Sequence, residues 1–151
     1  MLFPTHILLG IVLYLISRPF FSGGNEIVFF LLVLLGAILP DIDEPRSKIS
    51  QWTGIIGKIV GRIAKHRGFC HSIFFVGIIS FAIAYVWSSY YAWALFMGYV
   101  AHMIGDGITP MGVRIFYPFS KARIKGPFRT GGLSEKVIMV LLILVIVKQF
   151  V

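Results

Sequence analysis

Five apolar runs, separated by two short connections and two longer basic loops, constrain this chain more than any other feature. They cover residues 3–16, 27–39, 69–87, 91–104 and 137–151. Hydrophobic residues make up 58% of the 151 positions, where soluble domains hold about 45–50%. A run that enters lipid must satisfy its own backbone hydrogen bonds, and helices do this within one segment. The expectation is an all-α, integral membrane helical bundle with about five membrane segments, a single domain over residues 1–151. The first run has no basic segment ahead of it and carries His6, so it reads as a retained helix rather than a cleaved leader. Ser134, followed by Glu135 and Lys136, reads as the N-cap of the last helix. A single cysteine, Cys70, excludes an intramolecular disulfide.

Charge sets the topology. The net charge is +8. On a soluble chain that balance suggests nucleic acid. Here the basic residues flank apolar segments, so they point to membrane orientation and anionic headgroups, with no nucleic-acid partner. Twelve of the fourteen Lys and Arg fall in two stretches, residues 41–68 and 107–136. The positive-inside rule places both in the cytoplasm, which makes the chain a multi-pass protein of the cell (inner) membrane. Within the first stretch, Ile55, Ile56, Ile59, Val60 and Ile63 recur at helical spacing, with Lys58, Arg62 and Lys65 between them. That pattern describes a basic amphipathic helix, either on the membrane surface or packed on the bundle.

The ionisable residues then sort to one side. His6 begins run one, Asp41 and Asp43 follow run two, His66 and His71 lie at the start of run three, and His102 and Asp106 close run four. With five spans, all of these ends face the cytoplasm. Ionisable groups clustered in so apolar a chain mark a functional site by default, and His and Asp are ligands for zinc or manganese. His102 and Asp106 are four apart and share a helix face, as two ligands of one metal or as a structural hydrogen-bonded pair. Asp41 and Asp43 point to one side of an extended stretch and repel unless a cation or a proton lies between them; alone, they also fit a solvated acidic turn. His66 and His71 flank Gly68 in a loop entering a helix, and Arg67 offers a planar guanidinium suited to phosphate. His6 alone fits a structural role as well as ligation. Glu135 is a weaker candidate, since a glutamate in a first helical turn has an ordinary electrostatic reason to be there. The runs are short, which puts the site near headgroup level.

Together, Thr5-His6, Leu39-Pro40-Asp41-Ile42-Asp43, His66-Arg67-Gly68 with His71-Ser72, and His102-Met103-Ile104-Gly105-Asp106 with Thr109 and Pro110 resemble a family of membrane-bound metal-dependent hydrolases, described as LexA-regulated inner-membrane proteins. That family is similar, more remotely, to the all-helical zinc-dependent phospholipase C and P1 nuclease group. The resemblance implies phosphoester cleavage with clustered zinc. Four histidines fall short of a three-zinc complement, so one or two divalent ions are expected, zinc first and manganese second.

The expected function is a metal-dependent hydrolase of a phosphoester, acting on a phospholipid or lipid-linked phosphate by metal-activated water. The expected ligands are His6, Asp41, Asp43, His66, His71, His102 and Asp106. Asp43 or Asp106 accepts the water's proton, and Arg67 neutralises phosphate charge. Anionic membrane lipid is the expected partner. Two other classes fit the composition. A metal-ion transporter or sensor needs a polar path, and runs one, three and five carry no acidic residue or histidine in mid-span. A non-enzymatic scaffold would use the metal only to tie helix ends together.

Overall fold

The computed structural model of the protein describes residues 1–63 and 68–150, without the side chain of Ile63. Among the described residues, seven α-helices follow one another: α1 (Phe3–Ser17), α2 (Glu26–Ile38), α3 (Lys48–Trp52), α4 (Ile55–Ile63), α5 (Ile73–Val86), α6 (Ser89–Gly107) and α7 (Leu133–Lys148). Short 3-10 turns cover Arg18–Phe20, Leu39–Asp43 and Phe69–His71. Among the described residues, the only β pairing is an antiparallel bridge between Val113 and Ile124.

Local chemistry sets the helix ends. The Asn25 side chain accepts from the amides of Ile27 and Val28 and starts α2. Pro40 follows the end of α2, where the chain tightens into the 3-10 turn that carries Asp41 and Asp43. The third apolar run does not enter its helix at once. Ser72 is extended and its hydroxyl accepts from the Phe75 amide, so α5 begins at Ile73 and His71 lies in the turn before it. The expected Ser134 cap is not used. α7 starts two residues earlier, at Leu133, with Gly132 at the cap and the Glu135 carboxylate reaching back to the Gly131 amide.

α6 is the central helix. Its contact with α2 is close because both helices carry glycine there. A Cβ on Gly98 would collide with the Val33 carbonyl, and one on Gly36 with the Leu95 carbonyl. Phe29, Val33, Tyr90, Tyr91 and Ala94 fill the core where these helices meet. α1 lies against α6 at Gly105, where a Cβ would sit 2.9 Å from Leu9 Cδ1 and 3.0 Å from His6 Nδ1. Residues 108–128 fold back along the C-terminal half of α6. The Ile73 amide donates to Ile115, and the Gly126 and Phe128 amides donate to Thr109 and Ile108.

The outer faces are apolar. Ile78, Phe81 and Tyr85 on α5, and Val140 and Leu144 on α7, are exposed. Phe3–Phe20 is the one helical stretch among the described residues that is long and apolar enough to cross a membrane by length and composition. α5 is apolar but shorter. α2 and α5 hold 13 and 14 residues, about 20 Å of helix against a hydrocarbon core of about 30 Å. The expectation of five spans is thus reduced to one clear span candidate in an all-helical bundle.

α4 takes an arrangement that the spacing of its isoleucines left open. Gly57 packs on Ser50, and Gly61 packs on Pro45 and the Asp43 carbonyl. Ile55, Ile56 and Ile59 face outward. The glycine side joins the bundle, and the isoleucine side is left uncovered.

Candidate metal centre

Asp41, His71, His102 and Asp106 converge, each offering one ligand atom, with all four atoms within 4.8 Å of one another. They come from the turn after α2, the turn before α5, and the last two turns of α6. His71 Nε2 lies 3.7 Å from Asp41 Oδ1 and 3.6 Å from Asp106 Oδ2. His102 Nε2 lies 3.7 Å from each of the same two oxygens. The two Nε2 atoms are 3.3 Å apart. Ligands about 2.0–2.1 Å from a tetrahedral zinc stand roughly 3.3–3.4 Å from one another. The five distances therefore match such a site to within a few tenths of an ångström.

The backs of both imidazoles are held. His102 Nδ1 donates to the Ala37 carbonyl at 2.8 Å. A carbonyl can only accept, so the proton is on Nδ1 and the Nε2 lone pair faces the cluster. His71 Nδ1 lies 3.3 Å from Asp43 Oδ2. Carbonyl and carboxylate partners behind histidine ligands are the usual way in which proteins orient metal-bound imidazole. Two lone pairs and two carboxylates this close repel unless a cation or added protons lie between them. Burial of Asp41 works against its charge, yet the imidazoles of His71, His102 and His6 hold its carboxyl well below the usual carboxylate range. The donor set and its spacing fit a divalent ion.

Access is one-sided. His71 and His102 are fully buried and Asp106 nearly so, whereas the Asp41 side chain is 23% exposed. The centre opens at Asp41.

The remaining expected residues divide. His6 is brought in: its ring stacks on His102 at 3.9 Å, and its Nε2 lies 3.4 Å from Asp106 Oδ1. It is buried, and neither ring nitrogen makes a hydrogen bond among the described residues. The Met1 amino group donates to the same Asp106 oxygen at 2.6 Å. Asp43, expected among the ligands, stands outside the four-atom group and behind His71 instead. The tight turn Leu39–Asp43 separates the two aspartates that an extended stretch would have kept on one side. His66 and Arg67 lie outside the described residues. Glu135 is buried and occupied by three donors, the Leu2 amide, Thr5 Oγ1 and the Gly131 amide, at 2.6–2.7 Å. It fastens the start of α1 to the start of α7 and leaves the cluster alone. Cys70 is buried beside His71, and its carbonyl accepts from the Tyr99 hydroxyl.

Sequence reasoning missed Ala37. Its carbonyl sits one helical turn ahead of Asp41 in a featureless apolar run, so no side-chain signal marks it. Thr5, noted only as the neighbour of His6, also has a defined task in holding Glu135.

Residues 1–150 match the family described as YdjM inner membrane protein. The chain belongs to that family. The uncharacterized protein YvsG of Bacillus subtilis (strain 168) is 30% identical over 138 residues, covering 89% of this chain and 85% of that protein. Inner membrane protein YdjM of Escherichia coli (strain K12) is 33% identical over 93 residues, covering 56% of this chain and 46% of that protein. The YdjM protein of Shigella flexneri matches to the same extent. No solved structure matches the chain. Membership makes the protein a membrane protein, with the inner membrane as its location. The expected resemblance holds at that level. The likeness to hydrolases and phospholipase C finds no counterpart in these relatives.

Proposed function

We propose that this YdjM-family protein is a metal-dependent phosphoesterase of the membrane, acting on a phospholipid or lipid-linked phosphate. The convergence of two Nε2 atoms and two carboxylate oxygens at near-tetrahedral spacing carries the reading. His71, His102 and Asp106, the three buried donors, would hold one divalent ion. Zinc suits the mixed nitrogen and oxygen donors, and three protein ligands is the count used by catalytic zinc sites. Such an ion lowers the pKa of a bound water and polarises a phosphoryl oxygen. Asp41 stands at the open edge. From there its carboxylate would accept the proton of the attacking water and return it to the leaving oxygen. Asp43 and the Ala37 carbonyl keep the two imidazoles in one tautomer and orientation. Arg67, by its place in the sequence, supplies charge to the phosphate.

The membrane setting supports a lipid substrate. All the contributing helix ends lie at one end of the bundle, and the short helices bring that end to headgroup depth. In this reading, five helices (α1, α2, α5, α6 and α7) sit in the bilayer, and α4 lays its isoleucine face on the cytoplasmic surface with Lys58 and Arg62 toward anionic lipid.

The test is purified protein assayed for metal content, then for release of phosphate or headgroup from phospholipids and lipid phosphates. Stoichiometric zinc, with hydrolysis lost in Asp41→Asn, is the expected result. Full metal loading with no hydrolysis of any lipid phosphate sinks the proposal.

A second reading has its own support. Four protein ligands close a coordination shell, as structural zinc sites do. A zinc clip would tie together the ends of α2, α5 and α6 without catalysis. That reading predicts loss of the folded bundle on chelation, whereas the enzyme reading predicts a folded, inactive protein.

A further inference from the structure

A second feature lies beside the centre, on the neighbouring face of α6. A cavity of about 530 Å³ opens between α5, α6 and the folded-back segment 108–128. Tyr99, Met103 and Gly107 line it from α6, and Val76 from α5. Met103 and Gly107 directly follow His102 and Asp106, so the cavity face stands about 100° around the helix from the ligand face. The two sites share one helix wall and one end of the bundle.

The wall is hydrocarbon for a definite reason. The segment that closes it spends its backbone groups internally: Val113 and Ile124 exchange both amide bonds, and Gly126 and Phe128 donate to Thr109 and Ile108. The Tyr99 hydroxyl is turned away to the Cys70 carbonyl, and its ring packs with Val76, Met103 and Val113 in the floor beneath the cavity. Lys125 is the one charged residue among the described lining. The volume is within the range of small-ligand pockets. An apolar space of this kind stays free of water and takes apolar guests.

Charge identifies the guest. Residues 107–134 contain Arg114, Lys121, Arg123, Lys125 and Arg129 and no acidic residue. Of these, Lys125 lines the cavity, and an apolar slot with one cation at its edge is complementary to a molecule with a hydrocarbon tail and an anionic head.

We infer that this cavity holds one acyl chain of a glycerophospholipid, whose phosphate is drawn to the Lys125 side and from there to the metal centre. The assignment rests on the lipid phosphoesterase reading for the purpose of binding, and it names the substrate class.

The test uses the full chain in nanodiscs of phosphatidylcholine and phosphatidylglycerol, doped with a phosphatidylglycerol that carries a diazirine on its acyl chain. Expected is cross-linking at the lining residues Ile73 and Phe128 severalfold above that at the outward residues Phe81 and Tyr85. Ile104→Trp and Ile124→Trp, two fillings from opposite walls at partly exposed positions, should each reduce cavity labelling about tenfold while metal content is unchanged. Lys125→Glu should remove the preference for phosphatidylglycerol over phosphatidylcholine probes. Equal labelling of cavity and outer face, or labelling unaffected by both fillings, overturns the assignment. Preferential labelling without any lipid hydrolysis keeps the chain pocket and removes the catalytic reading. Hydrolysis without preferential labelling does the reverse.

Discussion

At the scale of single residues, the centre is decided by what stands behind the histidines as much as by the histidines themselves. Asp43 contributes no atom to the four-atom group, yet it faces His71 Nδ1 at 3.3 Å. Removing such an orienting partner costs about 10–100-fold in metal affinity. Asp43→Asn should therefore weaken zinc binding by that factor and leave stoichiometry at saturation unchanged, as read by chelator competition. His102→Ala removes a ligand and should abolish binding. Acid should act through the same atoms. A ligating imidazole must be neutral, and a free histidine titrates near about 6.5. Protons compete with metal at lower pH, so metal should dissociate as pH falls below about 6. The carboxyl of Asp41 is held well below its usual range and stays charged over that interval. An apparent metal affinity that does not fall between pH 7 and pH 5 would show that the histidines are not ligands.

At the scale of elements, glycine controls whether the ligands meet. Gly98 and Gly36 let α6 lie on α2 backbone to backbone, which brings the Ala37 carbonyl to His102 Nδ1. Gly98→Val drives a branched side chain into the Val33 carbonyl. Overpacking costs about 1–3 kcal/mol, and at about 2–4 °C per kcal/mol the thermal midpoint should fall by about 2–12 °C. Metal affinity should fall with it, because α6 then carries His102 away from Ala37. Gly105→Ala is a narrower probe: its methyl meets His6 at about 3 Å and should disturb the His6 stack while the α2 contact stays intact. The same elements show what a sequence discloses. The five apolar runs and the 55–63 helix were legible because periodicity and length are carried by side-chain type. His71, His102, Asp41 and Asp106 were legible because such groups are conspicuous in apolar surroundings. The exclusion of Asp43 from the ligand set was not, because it depends on a 3-10 turn that rotates adjacent aspartates apart. The role of Ala37 was not either, because a backbone carbonyl leaves no residue signature. Glu135 looked like a spare ligand, and only the meeting of α1 with α7 shows that its oxygens are taken.

At the scale of the whole molecule, orientation joins the separate observations. α1 and α7 start, and α2 and α6 finish, at the end of the bundle that holds the centre. The opposite end carries Arg18 paired with Glu26 and an aromatic group of Trp87, Tyr90 and Tyr91. The basic stretches, residues 41–68 and 107–136, both join helices at the centre's end. If that end is cytoplasmic, the positive-inside bias, the anionic inner leaflet and the isoleucine face of α4 all act in one direction. They press the site against headgroups. Single cysteines placed at Ser22 and at Ser120 in a Cys70→Ser background test this directly. A membrane-impermeant maleimide applied to intact spheroplasts should label position 22 and spare position 120, and disruption of the membrane should expose both. The reverse pattern would put the centre outside, where the same geometry faces a different leaflet and the cytoplasmic phosphate pool is out of reach. Labelling of both positions in intact spheroplasts would mean that the two ends of the bundle do not lie on opposite sides of the membrane. The start of α1 is bound to the end of α6 through Met1, His6 and Asp106, so α1 could then not cross alone and the multi-pass reading would fall.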